Sequence, residues 1–236
     1  MAVSWQDTGI VLTTRRLGEH DLLLGVLSRQ HGRHAGVVKG GAGRRGRGLY
    51  QPGNQLALTW RARLEDHLGT FSAELTEARA AALFDRPGPL AGLAAACAVL
   101  AATLPERDPW PDIHDDLVRL LAALGDDNWA VAYVRWEASL LADLGFGLDL
   151  SACAVTGRTD DLAYVSPRTG RAVCREAAGP YRARLLPLPA FLLAEVPPGP
   201  GDLANGLALT AHFLAQHVLA PRPLPQPRAG LGQWLD

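Results

Sequence analysis

The sequence predicts an α+β chain of more than one domain: a small closed barrel of five strands, then an α-helical region interrupted by a short β-hairpin. Three observations lead there. From about residue 7 to 75 apolar residues recur at a period of two, and after Glu74 they recur at helical spacing. Breaks in the first stretch, such as Leu17–Gly18–Glu19 and Gln30–His31–Gly32, have the composition of tight antiparallel turns. Between Leu148 and Tyr181 both periodicities are lost, and two short apolar runs flank Pro167–Arg168–Thr169–Gly170.

The five strands are expected at Thr8–Arg15, Asp21–Ser28, Arg33–Lys39, Gln55–Arg63 and Gly69–Leu75. Alternation is clearest where Leu56, Leu58 and Trp60 face away from Ala57, Thr59 and Arg61. Five short strands with one long loop suit a barrel of the oligonucleotide-binding (OB) type. Helices are expected at Leu75–Phe84, Leu90–Leu104 and Ile113–Leu124. A longer one, capped by Asn128, would present Trp129, Tyr133, Trp136, Leu140, Leu141 and Leu144 on one apolar face. Leu162–Ser166 and Ala172–Arg175 form the hairpin, and Leu203–Leu219 the last helix. The boundaries are an OB barrel over 1–76 and a helical domain over 77–236, with a zinc-knuckle-like hairpin at about 149–181.

Charge is unevenly distributed. The net formal charge of the 236 residues is −1, yet through Leu64 ten basic residues stand against three acids. The first part therefore carries +7 and the remainder −8. The densest stretch is Arg33–Tyr50, RHAGVVKGGAGRRGRGLY, in which a short apolar run delivers Lys39 into a glycine loop bearing Arg44, Arg45 and Arg47. Such a loop has almost nothing to bury. Glycine lets its backbone approach a ligand closely, and guanidinium forks match phosphate oxygens, so the stretch suits a polyanion. An OB barrel binds single strands by a charged groove and stacking aromatics. Trp5, Trp60 and Phe71 are expected in the core, and Tyr50, beside the loop, is expected to stack.

Other chemistries find little support. Gly41–Ala42–Gly43–Arg44–Arg45–Gly46 matches the dinucleotide fingerprint in letters, but Pro52–Gly53 follows where a helix would have to run. No nucleophile elbow, Walker loop or H-E-x-x-H occurs, and no catalysis is assigned. Cys97 lies in an apolar helical run and reads as inert core. Cys153 and Cys174 would each begin a C-x-x-C knuckle, but the second positions are Thr156 and Ala177. Two thiolates do not hold zinc tightly, so a metal-free knuckle and no cofactor are expected. With no signal segment and no long apolar run, the expected compartment is the cytoplasm, without membrane contact. The competing class is a protein-interaction adaptor whose basic loop is not a DNA site.

The ordered set TGIVLTTRRLGEHDLLLGVLSRQHGR, VVKGG…RRGRGLYQPGN, WEASLLADLGFGLDLSAC and CAVTG…YVSPRTGRAVC resembles the RecO family of bacterial recombination mediators over nearly the whole chain. The resemblance implies an OB barrel, a helical domain with a zinc-knuckle-like insertion, and DNA binding without hydrolysis. It further implies binding of single- and double-stranded DNA, strand annealing, and work with RecR to help RecA replace the single-strand-binding protein SSB, in association with the nucleoid. Arg33, Lys39, Arg44, Arg45 and Arg47 match the family's basic DNA face, to which Tyr50 and Arg61 are added from their position. Arg135 best matches the family's groove for the SSB C-terminal tail, with Trp136, Leu140 and Leu141 around it.

Overall fold

The computed structural model describes residues 3–44 and 46–235. Five strands, β1 (Val3–Leu17), β2 (Asp21–Ser28), β3 (Gly32–Val38), β4 (Gln55–Ala62) and β5 (Thr70–Glu77), close into a barrel in the order β1-β2-β3-β5-β4. A one-turn helix, α1 (Gly46–Leu49), lies in the basic loop between β3 and β4. The chain therefore has the α+β architecture read from the sequence, an OB barrel followed by helices.

Alternation fixes the register. Leu56, Leu58, Trp60 and Ala62 of β4 point inward to meet Val11, Leu22, Leu24, Val26 and Phe71, while Ala57 and Arg61 face out. The side-chain-free Gly36 admits Phe71, since a Cβ there would sit 2.6 Å from the ring. β1 is the longest strand, pairing with β4 through its first half and with β2 through its second, with an irregularity between Val11 and Thr13. The β3–β5 seam is narrow: Val37 and Thr70 are the only residues in register, in parallel.

The helix expected over Leu75–Phe84 is shorter, with α2 spanning only Arg79–Ala82. Leu75 and Glu77 instead extend the ladder against Leu56 and Gln55, and the Thr76 hydroxyl donates to the Gln55 carbonyl at 2.9 Å. Ladder pairing outweighs local helix propensity there. Pro87 and Pro89, which lie between the helices expected at Leu75–Phe84 and Leu90–Leu104, form the first turn of α3 (Pro87–Thr103), where their missing N–H groups have no intrahelical partner to lose. α4 (Pro111–Ala123) follows. The barrel, α3, α4 and the short α8 (Gln226–Ala229) belong to one compact unit, comprising residues up to Gly125 and Pro225–Leu231.

The second compact unit comprises Asp126–Leu224 and Gly232–Asp236. It holds α5 (Trp129–Asp143), the hairpin β6 (Leu162–Val165) and β7 (Ala172–Cys174), α6 (Arg175–Ala178), β8 (Leu186–Pro187) and α7 (Asp202–Phe213). β8 adds a third strand to the hairpin, on the β6 side. The last helix continues as a π-helical segment, Leu214–Leu219. α5 packs on α7 across a buried polar group: Glu137 accepts from the Tyr133 hydroxyl at 3.0 Å and from the Thr210 hydroxyl at 2.6 Å.

One end of the barrel is an aromatic box. His34 of β3 is 5% exposed among Trp5, Trp60 and Phe71, and Trp5 stacks on His31 with centroids 4.1 Å apart. Burial pushes the His34 imidazole down to about 4, with the Arg107 guanidinium and His31 adding to the effect. The folded protein thus holds His34 neutral, while the unfolded chain takes up a proton below its ordinary value of 6.5. Stability is full above that pH and falls as pH drops from 6.5 towards 4, by no more than about 3 kcal/mol. Urea denaturation across this range should show the loss, and His34→Phe should flatten this component of the pH dependence.

Candidate nucleic-acid interface

The basic loop is rooted at both ends by hydrogen bonds, with Ala42 and Tyr50 resting on the barrel core between them. At its start the Asp21 carboxylate accepts from Lys39 Nζ at 2.8 Å and from the Gly40 N–H at 2.9 Å. These two bonds hold Asp21 below the usual carboxylate range. The Ala42 N–H donates to the His20 carbonyl at 2.9 Å. At its end the buried Asn54 amide donates to the carbonyls of Gly48 (2.9 Å) and Leu49 (3.1 Å). Its side-chain oxygen accepts from the Ala80 N–H at 3.2 Å. The middle is held by backbone contact alone. A Cβ on Gly46 would lie 1.7 Å from the Gly41 carbonyl oxygen, so only glycine allows that approach.

Arg44 and Arg47 project from this loop into solvent, and neither makes a hydrogen bond or ion pair with any described residue; Arg45 lies outside the described residues. Arg16, at the end of β1, joins them: it lines the same cavity as Arg47 and Tyr50 and is equally free. Sequence reasoning counted Arg16 in the charge balance but did not place it in the site. Its signal was available, because Arg16 lies in the β1–β2 hairpin that also supplies the loop's anchor, Asp21. Tyr50 is half-buried and packs against the barrel core, and its carbonyl accepts the Thr14 hydroxyl at 2.6 Å. Burial raises its phenol, which therefore stays protonated at neutral pH.

The remaining expected residues divide differently. Lys39 is exposed but paired with Asp21. Arg33 is a structural residue: Nε donates to the Leu104 carbonyl at 2.8 Å and Nη1 pairs with Glu106 at 3.1 Å, leaving the side chain 25% exposed. An outward position on β3 beside the helical connection gives its fork a carbonyl and a carboxylate close at hand. Arg61 is exposed on β4 opposite Ser4, near the start of β1, whereas the loop cluster surrounds its end. The structure does not bring Arg61 into the cluster.

Comparison with known proteins identifies the family. A family model described as Recombination protein O N terminal matches residues 1–79, and one described as Recombination protein O C terminal matches residues 88–225. A DNA repair protein RecO of Rhodospirillum rubrum is 53% identical over 236 residues, covering 96% of this chain and 94% of that one. One of Cereibacter sphaeroides is 51% identical over 230 residues, covering 97% of each. The chain belongs to the RecO family.

RecO is a family of DNA repair and recombination proteins, and this RecO chain has, among its described residues, no helix long and apolar enough to cross a membrane. Its hairpin carries two buried thiols, Cys153 and Cys174. Cys153 Sγ accepts the Cys174 N–H at 3.3 Å, and Thr156 Oγ1 lies 3.6 Å from Cys174 Sγ. Burial works to raise the Cys153 thiol, but the Cys174 N–H, the Thr156 hydroxyl and the N–H groups of Thr156 and Val155 outweigh it and hold it at about 6. The Ala177 methyl packs against the same cluster. Among the described residues no group of three or more His, Cys, Asp or Glu is placed to hold a metal.

In the helical unit, the four side chains expected to form a peptide groove make no open surface. Trp136, Leu140 and Leu141 are 5%, 2% and 0% exposed, because the apolar face of α5 is spent on the core. Arg135 donates through Nε and Nη2 to the Phe191 carbonyl, through Nη2 to the Ala194 carbonyl, and through Nη1 to Glu195 at 2.8 Å. Its fork is fully engaged. The assignment of Arg33 to structure has a direct check: Arg33→Ala should lower barrel stability by about 1–2 kcal/mol in chemical denaturation, since the Leu104 carbonyl and Glu106 lose their partner.

Proposed function

We propose that this RecO chain is a non-catalytic, DNA-binding recombination mediator. It binds single- and double-stranded DNA through the basic loop, anneals complementary strands, and works with RecR and the SSB tail to help load RecA. The observation that carries the reading is a set of exposed guanidinium groups, those of Arg16 and Arg47 beside Tyr50 and that of Arg44 in the same loop, that have no partner among the described residues. Unpaired arginines held on a short, rooted loop repel one another and find their complement in a polyanion. The loop contributes charge and hydrogen-bond donors, with no nucleophile or general base among them, which suits binding rather than bond cleavage.

Annealing follows from electrostatics on this reading. Two complementary strands repel through their phosphates, and arginines that cover both reduce that repulsion until base pairing drives association. That the relatives are DNA repair proteins supports this reading. About four phosphate contacts through Arg16, Arg44, Arg45 and Arg47 would give a log–log salt slope of about −3 to −4. Changing Arg44, Arg45 and Arg47 to alanine should therefore weaken DNA binding and flatten the slope while the melting temperature holds. Fluorescence anisotropy at 50 and 200 mM salt is the measurement; unchanged affinity and slope would remove the loop from the reading.

The hairpin, on the same reading, folds without zinc. Apolar packing of Tyr164, Val173 and Ala178 around the two thiols, together with the N–H···S bonds, supplies what a metal otherwise would. The double change Thr156→Cys with Ala177→Cys should create a four-thiolate site. Added cobalt(II) should then give the intense charge-transfer absorption of tetrahedral thiolate coordination, and the same addition to the natural chain should not.

A further inference from the structure

The cavity between the end of β1 and the basic loop is a second level of detail within the same site. It has a volume of about 440 Å³ and is lined by Thr14, Arg16, Leu22, Ala42, Arg47 and Tyr50, with the backbones of Gly41 and Gly46. Its walls are of two kinds. Leu22 and Ala42 are buried core residues, and the Tyr50 ring rests on the same core, so part of the cavity is apolar and includes an aromatic group. Arg16 and Arg47 are exposed and unpaired, so another part is cationic. The Thr14–Tyr50 bond and the Tyr50 N–H to Gly46 carbonyl bond at 3.0 Å fix the tyrosine backbone against the loop. The close Gly41–Gly46 approach lies beside the Tyr50 ring, since a Cβ on Gly46 would sit 3.2 Å from it.

A flat apolar body joined to an anion at one edge is the complement of such a space, and a nucleotide has that chemistry. We propose that this cavity receives one unstacked nucleotide of a single DNA strand. The base lies against Tyr50 over the Leu22–Ala42 floor, and the flanking phosphates lie on Arg16 and Arg47. The inference rests on the DNA-binding reading and extends it to strand preference. A base in a duplex reaches the cavity only after unpairing and unstacking, whereas one in a single strand is already free to enter. Phosphate contacts alone hold either form; the cavity favours the single strand.

Two measurements on the full-length protein test this. In the first, fluorescence anisotropy compares the natural chain, Tyr50→Phe and Tyr50→Ala on a single-stranded oligonucleotide and on the same sequence as a duplex. Loss of one base–aromatic contact should weaken single-strand binding by about tenfold or more in Tyr50→Ala. Tyr50→Phe should stay within about threefold, and duplex binding and both salt slopes should change little. Equal effects on the two forms, or no effect, would overturn the nucleotide cavity while leaving the basic-loop reading intact. Absence of salt-sensitive binding in the natural chain would overturn both.

The second measurement needs no variant, and so stands even if Tyr50→Ala does not fold. A single strand carrying 5-iododeoxyuridine is irradiated with the natural chain, and the cross-linked peptide is mapped by mass spectrometry. Attachment at Tyr50 is the expected result, and attachment confined to other segments contradicts the proposal.

Discussion

The glycine- and arginine-rich loop has little besides Ala42 and Tyr50 to rest on the barrel core, so its place in the molecule depends also on its two hydrogen-bonded roots. Asp21 supplies the first, gripping Lys39 and the Gly40 N–H, and Asn54 supplies the second by bonding Gly48, Leu49 and Ala80 together. Between them the backbone is fixed by an approach of Gly41 to Gly46 that no side chain would permit. The arginines are thus carried by a frame of hydrogen bonds with two small apolar footholds, Ala42 and Tyr50.

The basic residues of the first unit fall into two groups that a charge count cannot separate. Arg29, bonded to Asp115 through both Nε and Nη2, Arg33 on Leu104 and Glu106, and Arg107 on the carbonyls of Glu65 and His67 spend their forks on protein oxygens. Arg16, Arg44 and Arg47 do not. The first group holds α4, the α3–α4 connection and the β4–β5 turn in place within the unit. The second remains available to a polyanion. The same residue type therefore serves the fold and the proposed ligand, and local oxygen supply decides which.

Much of the fold was legible because burial imposes strict periods. Leu56, Leu58 and Trp60 against Ala57 and Arg61 gave β4 its inward face directly, and the glycine-marked breaks gave its neighbours. Legibility failed where a pattern served two readings. Leu75–Glu77 has helix formers but completes a ladder with β4, which no window of local sequence reports. The apolar face of α5 reads equally as core and as groove, and the helices packed on it make it core. For the site, the loop was legible from composition, but Arg33 looked like its neighbours because Leu104 and Glu106 lie some seventy positions away. Asn54, next to Pro52–Gly53, carries no local pattern that marks it as an anchor. Its amide bonds appear only once the loop has closed.

The narrow β3–β5 seam leaves most of one edge of β3 without a neighbouring strand. There the α3–α4 connection takes over: the Arg107 N–H donates to the Arg33 carbonyl at 2.8 Å, and Glu106 lies beside Arg33 as a parallel bridge. An open strand edge is a template on which a second chain can add. By capping it with a charged, non-strand segment clamped at Leu104, the protein withholds that template from other copies of itself. Barrels crowded side by side are then not stitched into a shared sheet.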